Sequence, residues 1–253
     1  MNRAIIHLNV ADFAVAVERV IDRRLRARPV IVAPPATSRS VVYDMSEEAY
    51  RAGVRKGMPL RRAERRCRDA HLLAPNPYRY HLAMRELLRR AGSYSPLVEP
   101  GPGDGHLFVD ATGTGRLFGP PADVAWRLRR QIRADLGLDP IWSVAANKLV
   151  AKVATRIVKP SGEYIVETGD EADFLAPLSL GLIPGIERRD RIRLQEFNLT
   201  RVHHAAALSF EQLRIIFGRR AGFLHETVRG VDPSPVRPVG SRPPRVAVVH
   251  DFD

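Results

Sequence analysis

The run Leu182-Ile183-Pro184-Gly185-Ile186, followed at once by Arg188, Arg189, Arg191 and Arg193, has the residue types needed to grip a phosphate. A glycine in a tight turn lets backbone amides come close to the anion, and the helix that follows points its positive end at the charge. The arginines then neutralise neighbouring phosphates, which gives binding that ignores sequence and weakens with salt. With Phe197-Asn198-Leu199 further on, the layout is that of a helix-hairpin-helix; a Pro-Gly loop before any basic helix reads the same way. One feature runs against phosphate binding: such hairpins usually carry a second glycine where this chain has Glu187.

Other chemistry is sparse. The one cysteine, Cys67, cannot form an internal disulfide or a cysteine-based zinc site. It sits in the basic run Arg61 to Arg68 with no acid–base partner nearby, as an ordinary residue of a reducing compartment. A net charge of +12, nearly all of it arginine, favours a polyanionic partner, nucleic acid first and an acidic membrane surface second. No stretch approaches the length of an apolar membrane span. Met1 to Val10 reads as a strand and not as a signal peptide, so a soluble, cytoplasmic, nucleoid-associated protein is expected.

The elements that must position these residues alternate at first. Ala4 to Val10 reads as a buried strand, and Asp12 as the N-cap of a helix from Phe13 to Val20. Strands are expected at Val30 to Ala33, Val41 to Tyr43, Leu72 to Ala74, His106 to Asp110, Trp142 to Ala145 and Glu163 to Glu167. Helices are expected from Ser46 (as cap) to Arg51, Leu60 to Cys67, Tyr80 to Ser93, Ala122 to Leu136 and Asn147 to Val158. Gly113 to Gly119 reads as a loop. From Asp170 the pattern turns to short helices, and from Asp232 it is Pro-rich, like a linker. The fold class is α+β, with a mixed sheet followed by a helical unit.

Three further stretches, with the hairpin, resemble the Y-family translesion DNA polymerases of the DinB and ImuB (UmuC) type. They are Ile5-Ile6-His7 through Phe13 to Glu18 with Arg28-Pro29-Val30-Ile31-Val32, Val98-Glu99-Pro100 through Val109-Asp110-Ala111-Thr112-Gly113, and Ala146-Asn147-Lys148-Leu149-Val150-Ala151-Lys152 to Lys159-Pro160-Ser161-Gly162. The resemblance covers about residues 4 to 236. It implies a palm at 1–13 and 79–167, fingers at 14–78, a helical thumb with the hairpin at 168–236, and a linker at 237–253 toward a little-finger domain, with Val246 to Asp253 leading into it.

The resemblance also implies what is missing. Such polymerases hold two magnesium ions with an aspartate at the end of the first strand and an Asp-Glu pair beside it. Those positions here are Asn9, Gly105 and His106. Asp104, Asp110 and Asp12 lie close by, and an unusual active polymerase would have to use the first two with Mg2+ or Mn2+. The positions implied for nucleotide contacts hold Glu47, Tyr50 and Ala14, where Ala14 replaces a bulky residue that screens out ribonucleotides; Lys159 matches a retained triphosphate contact. Asp104 to Asp110 and Gly115-Arg116-Leu117-Phe118-Gly119 look like the ImuB form, whereas the Asn147-Lys148 helix is closer to active members.

The expectation is therefore a catalytically silent core, monomeric by default and needing no cofactor. It binds primer-template DNA through Ile183, Gly185, Ile186, Arg188, Arg189, Lys148 and Lys152. It would act as an adaptor among a replicative-type polymerase, the sliding clamp and a mutagenesis accessory protein. A protein that binds no DNA and only connects partners is the third reading.

Overall fold

The computed structural model describes residues 3–35, 39–238 and 240. Its centre is β1 (Ile5–Asn9), five buried residues in succession. Such a strand must be covered on both faces, and it lies in the middle of a five-stranded sheet. α1 (Phe13–Ile21) follows, then β2 (Val30–Val32), β3 (Asp44–Met45), α2 (Glu47–Arg51), α3 (Leu60–Arg66) and β4 (His71–Leu73). Next come α4 (Pro77–Ala91), β5 (Val98–Pro100), β6 (His106–Asp110), α5 (Gly115–Phe118) and α6 (Pro121–Leu136). β7 (Ile141–Ala145), α7 (Lys148–Ile157) and β8 (Glu163–Ile165) complete the large sheet. Its order is β5-β6-β1-β7-β8, with β1 antiparallel to both neighbours and β8 parallel to β7. The remainder is helical: α8 (Glu171–Leu175), α9 (Arg188–Glu196), α10 (Val202–Ala206), α11 (Phe210–Phe217) and α12 (Ala221–Thr227).

Side chains alternate across β1. Ile6 and Leu8 join one core with Phe13, Val17, Met84, Leu87, Leu128 and Ile132, from α1, α4 and α6. His7 and Asn9 lie on the other face, where α7 packs. The apolar side of α7 (Leu149, Val150, Val153, Ala154) seals a second core with the helices from α8 onward. A small sheet, β3-β2-β4, holds a third core of Ile31, Met45, Ala49, Val54, Leu60 and Ala63. Cys67 belongs to it, and burial pushes its thiol up, away from thiolate chemistry.

Three local expectations need correction. The strand expected at Val41 to Tyr43 sits at Asp44–Met45. Val42 is instead held by the turn before α3, accepting from Gly57 N–H and donating to Met58 O, while Val41 bridges Pro59. Within the loop expected at Gly113 to Gly119 there is one helical turn, α5, closed by Gly119 at φ 78. Asp12 precedes α1 but does not cap it, because its backbone is left-handed (φ 49). The carboxylate at the start of α1 is Asp44, whose Oδ2 accepts the Ala14 N–H at 2.9 Å from across the small sheet. The segment Val246 to Asp253 and nearly all of the 237–253 linker lie outside the described residues. Among the described residues no helix is long and apolar enough to cross a membrane.

Candidate nucleic-acid interface

The ends of β1 and β6 bring Asn9 directly opposite His106, as the family resemblance requires. Asn9 is buried, and its Nδ2 has no hydrogen-bond partner among the described residues. Gly105 has φ +82, and its carbonyl accepts the Val10 N–H at 3.0 Å. A Cβ placed there would lie 2.8 Å from Phe13 Cδ2. Phe13 therefore fills the space that a side chain at 105 would need.

His106 is held in a chain of hydrogen bonds. The Thr155 hydroxyl donates to Lys152 O at 3.0 Å, so it accepts from His7 Nδ1 at 2.8 Å. His7 Nε2 is then the acceptor for His106 Nδ1–H at 3.1 Å. This leaves the His106 Nε2 lone pair facing Asp104 Oδ2 at 3.9 Å, beyond hydrogen-bond reach. Burial is the main cause that drives His7 well below its ordinary pKa and His106 down to about 4. Both rings are neutral at pH 7. One neutral amide, one neutral imidazole and one carboxylate, beside Lys152, Arg156 and Lys159, do not suit a pair of magnesium ions.

Asp104 and Asp110 do not form a substitute pair. Asp110 lies opposite Ile5, at the far end of β6 from His106, and its Oδ1 accepts the Thr112 N–H. Asp110 is four residue steps along the strand from His106, about 13 Å at ~3.3 Å per step. Asp12 is the third carboxylate nearby. Burial first and Asp44 second raise it to about 6, and the charges it senses are Asp44, Lys159, Glu47 and Lys56, not Asp104.

The depressed histidine makes stability pH-dependent. Its folded pKa of about 4 lies below the ordinary 6.5. Between those values the unfolded chain takes up a proton that the folded chain refuses, so stability falls as pH drops. His106 alone contributes a loss of roughly 3 kcal/mol by pH 4, at ~1.4 kcal/mol per unit; His7 adds in the same direction. Asp12 opposes this, since its raised pKa relieves an unfavourable charge as pH falls through about 6. Urea unfolding of Asp12→Asn at pH 7 and pH 4.5 is expected to show the full loss, and His106→Gln in that background a smaller one. Equal pH dependence in the two variants would remove His106 as the cause.

The positions expected to face a nucleotide are engaged internally. Glu47 Oε1 pairs with Arg51 at 2.9 Å, the Arg55 guanidinium stacks 3.8 Å over Tyr50, and Ala14 is buried under Asp44. Asp44 is itself buried and also meets Lys56 Nζ at 3.1 Å. Sequence reasoning passed over Asp44, since no local pattern marks a carboxylate that works on a helix 30 residues away.

The hairpin is built as a closed unit. Gly185 takes φ +80, and a Cβ there would come within 2.4 Å of Phe223 Cζ, so both backbone and space demand glycine. Ile183 and Ile186 are buried in the core and anchor the turn to its helices by their side chains. Glu187 N–H donates to Asp190 Oδ2 at 2.9 Å. Arg220, from just before α12, clamps the turn, meeting Asp190 Oδ2 at 2.7 Å and Oδ1 at 3.2 Å and donating to Gly185 O at 2.8 Å. Glu187 is neutralised by Arg189 at 2.9 Å and Arg220 at 3.4 Å. Arg188 and Arg189 are exposed, and Arg188 has no ion pair among the described residues.

Across from the hairpin, α7 presents Lys148 and Lys152. Lys148 is committed to Glu99 at 3.0 Å, whereas Lys152 is not paired among the described residues. Lys148, Lys152, Phe108 and Leu149 form one wall of a cleft of about 320 Å³, and Pro184, Gly185 and Phe223 stand on the other.

A palm-like sheet crossed by α7, a small finger-like sheet and a helical unit with a phosphate-type hairpin define the core of a Y-family DNA polymerase. The family described as IMS, impB/mucB/samB, matches residues 8–156, and the chain belongs to that family, the UmuC/DinB polymerases. It is 32% identical over 234 residues to a DNA polymerase IV of Dehalococcoides mccartyi, covering 92% of this chain and 60% of that one. It is 34% identical over 240 residues to the DNA polymerase IV of Halorhodospira halophila, covering 95% and 67%. The chain thus spans about 60% of the first relative's length. In fold it is similar to DinB from Sulfolobus solfataricus, with a TM-score of 0.84 at 22% identity over 92% of this chain and 69% of that one. An insertion ternary complex of Dbh DNA polymerase gives a TM-score of 0.83, at the same identity and coverage.

Proposed function

We propose that this protein is a DNA-binding, catalytically silent member of the Y-family, acting as an adaptor of the ImuB kind in translesion synthesis. The observation that carries the reading is the state of the palm: Asn9, Gly105 and His106 stand where carboxylates are required, and Phe13 fills the space at Gly105. Two metal ions cannot be held there, so no group activates a primer hydroxyl or neutralises a leaving pyrophosphate. The relatives' name, DNA polymerase IV, and the DNA polymerase complexes among the fold neighbours support the DNA-binding half of the reading. So do the net charge of +12 and the exposed Arg188 and Arg189 beside a rigid Gly185 turn.

Contacts of this kind read the backbone and not the bases. The domain limits expected from the resemblance fit this division of labour, with the palm and fingers as frame and the thumb as grip. A replicative-type polymerase, the clamp or a mutagenesis accessory protein would then be the partner that supplies chemistry. The protein works as a monomer in the cytoplasm, at the nucleoid.

The test is primer extension at stoichiometric protein, with Mg2+ and then Mn2+, with DNA binding read by anisotropy in the same tubes. Binding without extension is expected. Extension that persists after repurification and is lost in Asp104→Ala would overturn the reading. Reversing Arg188 and Arg189 to Glu is expected to weaken DNA binding at least tenfold. It should also lower the salt slope by roughly two, about 0.9 for each phosphate no longer neutralised. Unchanged affinity in that double variant would remove the hairpin from the interface.

A further inference from the structure

One stretch departs from the arginine-rich composition. Lys and Arg make up 40 of the 253 residues, yet none stands between Pro160 and Glu187. Glu163, Glu167, Asp170, Glu171 and Asp173 fall close together there. They begin in β8, the outermost strand of the large sheet, and run on into α8.

β8 is paired on one side only. Val166 N–H donates to Val144 O at 2.9 Å, and backbone groups alternate sides along a strand, so Glu163 and Ile165 turn theirs away from β7. No hydrogen bond among the described residues reaches those outward groups. The side chains divide as well. Tyr164 packs on Phe174 of α8 at 5.2 Å, and Val166 joins the second core. Glu163 and Ile165 take the opposite face, where Glu163 meets Arg129 of α6 at 3.1 Å. Beside Ile165 lies a cavity of about 310 Å³, walled by Pro120, Pro121, Ala122 and Val144. Ile165 is 44% exposed, and Trp126, one turn beyond Ala122 on the same helix face, is 47% exposed. Ala4 and Ala145 also line this cavity, which places it at the opposite end of β1 from Asn9 and His106.

An open strand edge beside an apolar cavity accepts an extended segment as one more strand. Backbone bonds give affinity, and alternate side chains enter the cavity. Charge selects the occupant. Of the five acids, only Glu163 has an ion pair among the described residues. DNA is repelled by such a surface. A second copy pairing edge to edge would set acid against acid, which opposes the pairing. We infer that the β8 edge docks an extended segment of a partner protein, basic and apolar by turns, laid beside β8. The inference deepens the adaptor reading, which supplies the reason for a partner; the edge, the cavity and the charge stand without it.

The probe is a fluorescein-labelled peptide, Lys-Val-Arg-Val-Lys-Val-Arg, followed by anisotropy with the native chain. One control replaces its central valine with proline, which keeps every charge but breaks the strand. The other replaces its bases with Glu and Asp. The basic peptide is expected to bind, and both controls about tenfold or more weakly, the scale of one or two lost hydrogen bonds. Binding should slow amide exchange at Glu163 to Glu167. Ile165→Pro removes an outward N–H and should weaken the peptide about tenfold. Glu167→Lys/Asp173→Lys should do the same, as two exposed ion pairs allow. Thermal melts check both variants, and if Ile165→Pro melts early, the charge variant and the exchange data carry the test. Equal binding of the valine and proline peptides overturns the edge, as does native affinity in a folded variant or no binding at all. A native dimer that Ile165→Pro makes monomeric would put a second copy on the edge and overturn the partner. Primer-template affinity should be unchanged in Ile165→Pro; its loss there would place DNA on this face instead. Primer extension by the native chain sinks the adaptor reading and leaves the peptide to decide the edge on its own.

Discussion

Gly105→Asp, the change that would restore one of the missing carboxylates, is expected to destabilise the protein and to restore nothing. The backbone at 105 has φ +82, a conformation that costs a side-chain-bearing residue roughly 1–3 kcal/mol. The new Cβ would meet Phe13 Cδ2 at 2.8 Å and Phe13 Cβ at 2.9 Å. Phe13 is buried in the core of the large sheet and cannot swing aside without opening it. Overpacking of this kind costs about 1–3 kcal/mol more. A total of roughly 2–6 kcal/mol is a large part of the 5–15 kcal/mol that separates a typical domain from unfolding. Chemical denaturation measures it directly. Even the triple change N9D/G105D/H106E is expected to give no extension, because Glu at 106 also loses the hydrogen bond that His106 gives to His7. A Gly105→Asp protein with native stability, or a triple variant that extends a primer with Mg2+, would mean that the site is a lightly edited polymerase centre and that Phe13 is no obstacle.

Arg220→Ala is expected to cost roughly 3 kcal/mol, near the lower end of what breaking a buried ion pair costs. Asp190 is 2% exposed, and two of its contacts come from this guanidinium. Truncating Arg220 leaves a buried carboxylate with the Glu187 N–H as its remaining partner, and it also frees Gly185 O. Partial exposure of Arg220 reduces the loss, since water can reach some of the vacated space. The loss is located in the thumb, so hydrogen exchange at Gly185 to Leu194 should rise more than exchange in β1 and β6. Arg220→Lys should recover little, because one ammonium cannot span both oxygens of Asp190 and the Gly185 carbonyl. DNA affinity should fall in parallel, as the turn that aims Arg188 loosens. A variant with unchanged stability and a rigid hairpin would show that the turn is held by Ile183, Ile186 and the backbone alone.

Much of this architecture is written in local pattern. Five buried residues at Ile5 to Asn9, the periodic apolar faces of α4, α6 and α7, and the change to short helices after Asp170 follow from chain-local physics. So do the caps Ser46 and Asn147, which accept from Ala49 N–H and Val150 N–H as their positions require. The meeting of Asn9 and His106 across neighbouring strands was also implied by the resemblance, because strand register is rigid once both strands are placed. Residues 182–186 were readable as a glycine turn, but not the burial of Ile183 and Ile186, which depends on what packs over them.

What the tertiary structure decided is charge pairing at long range. Asp44 occupies the start of α1 from 30 residues away, Arg220 reaches Asp190 from the same separation, and Lys148 meets Glu99 across 49 residues. Sequence patterns report periodicity, which is local, whereas an ion pair needs only that two chain segments meet in space. The same reason hid the roles of Gly105 and α7. A glycine reads as a missing ligand until Phe13 is seen to fill its space, and Lys148 reads as a free DNA contact until Glu99 is seen to pair with it. By itself the sequence determined the family of fold and which residues stand at the facing ends of β1 and β6. Only the folded chain decided which charges remain without a counter-ion, because that depends on every segment that reaches the cleft.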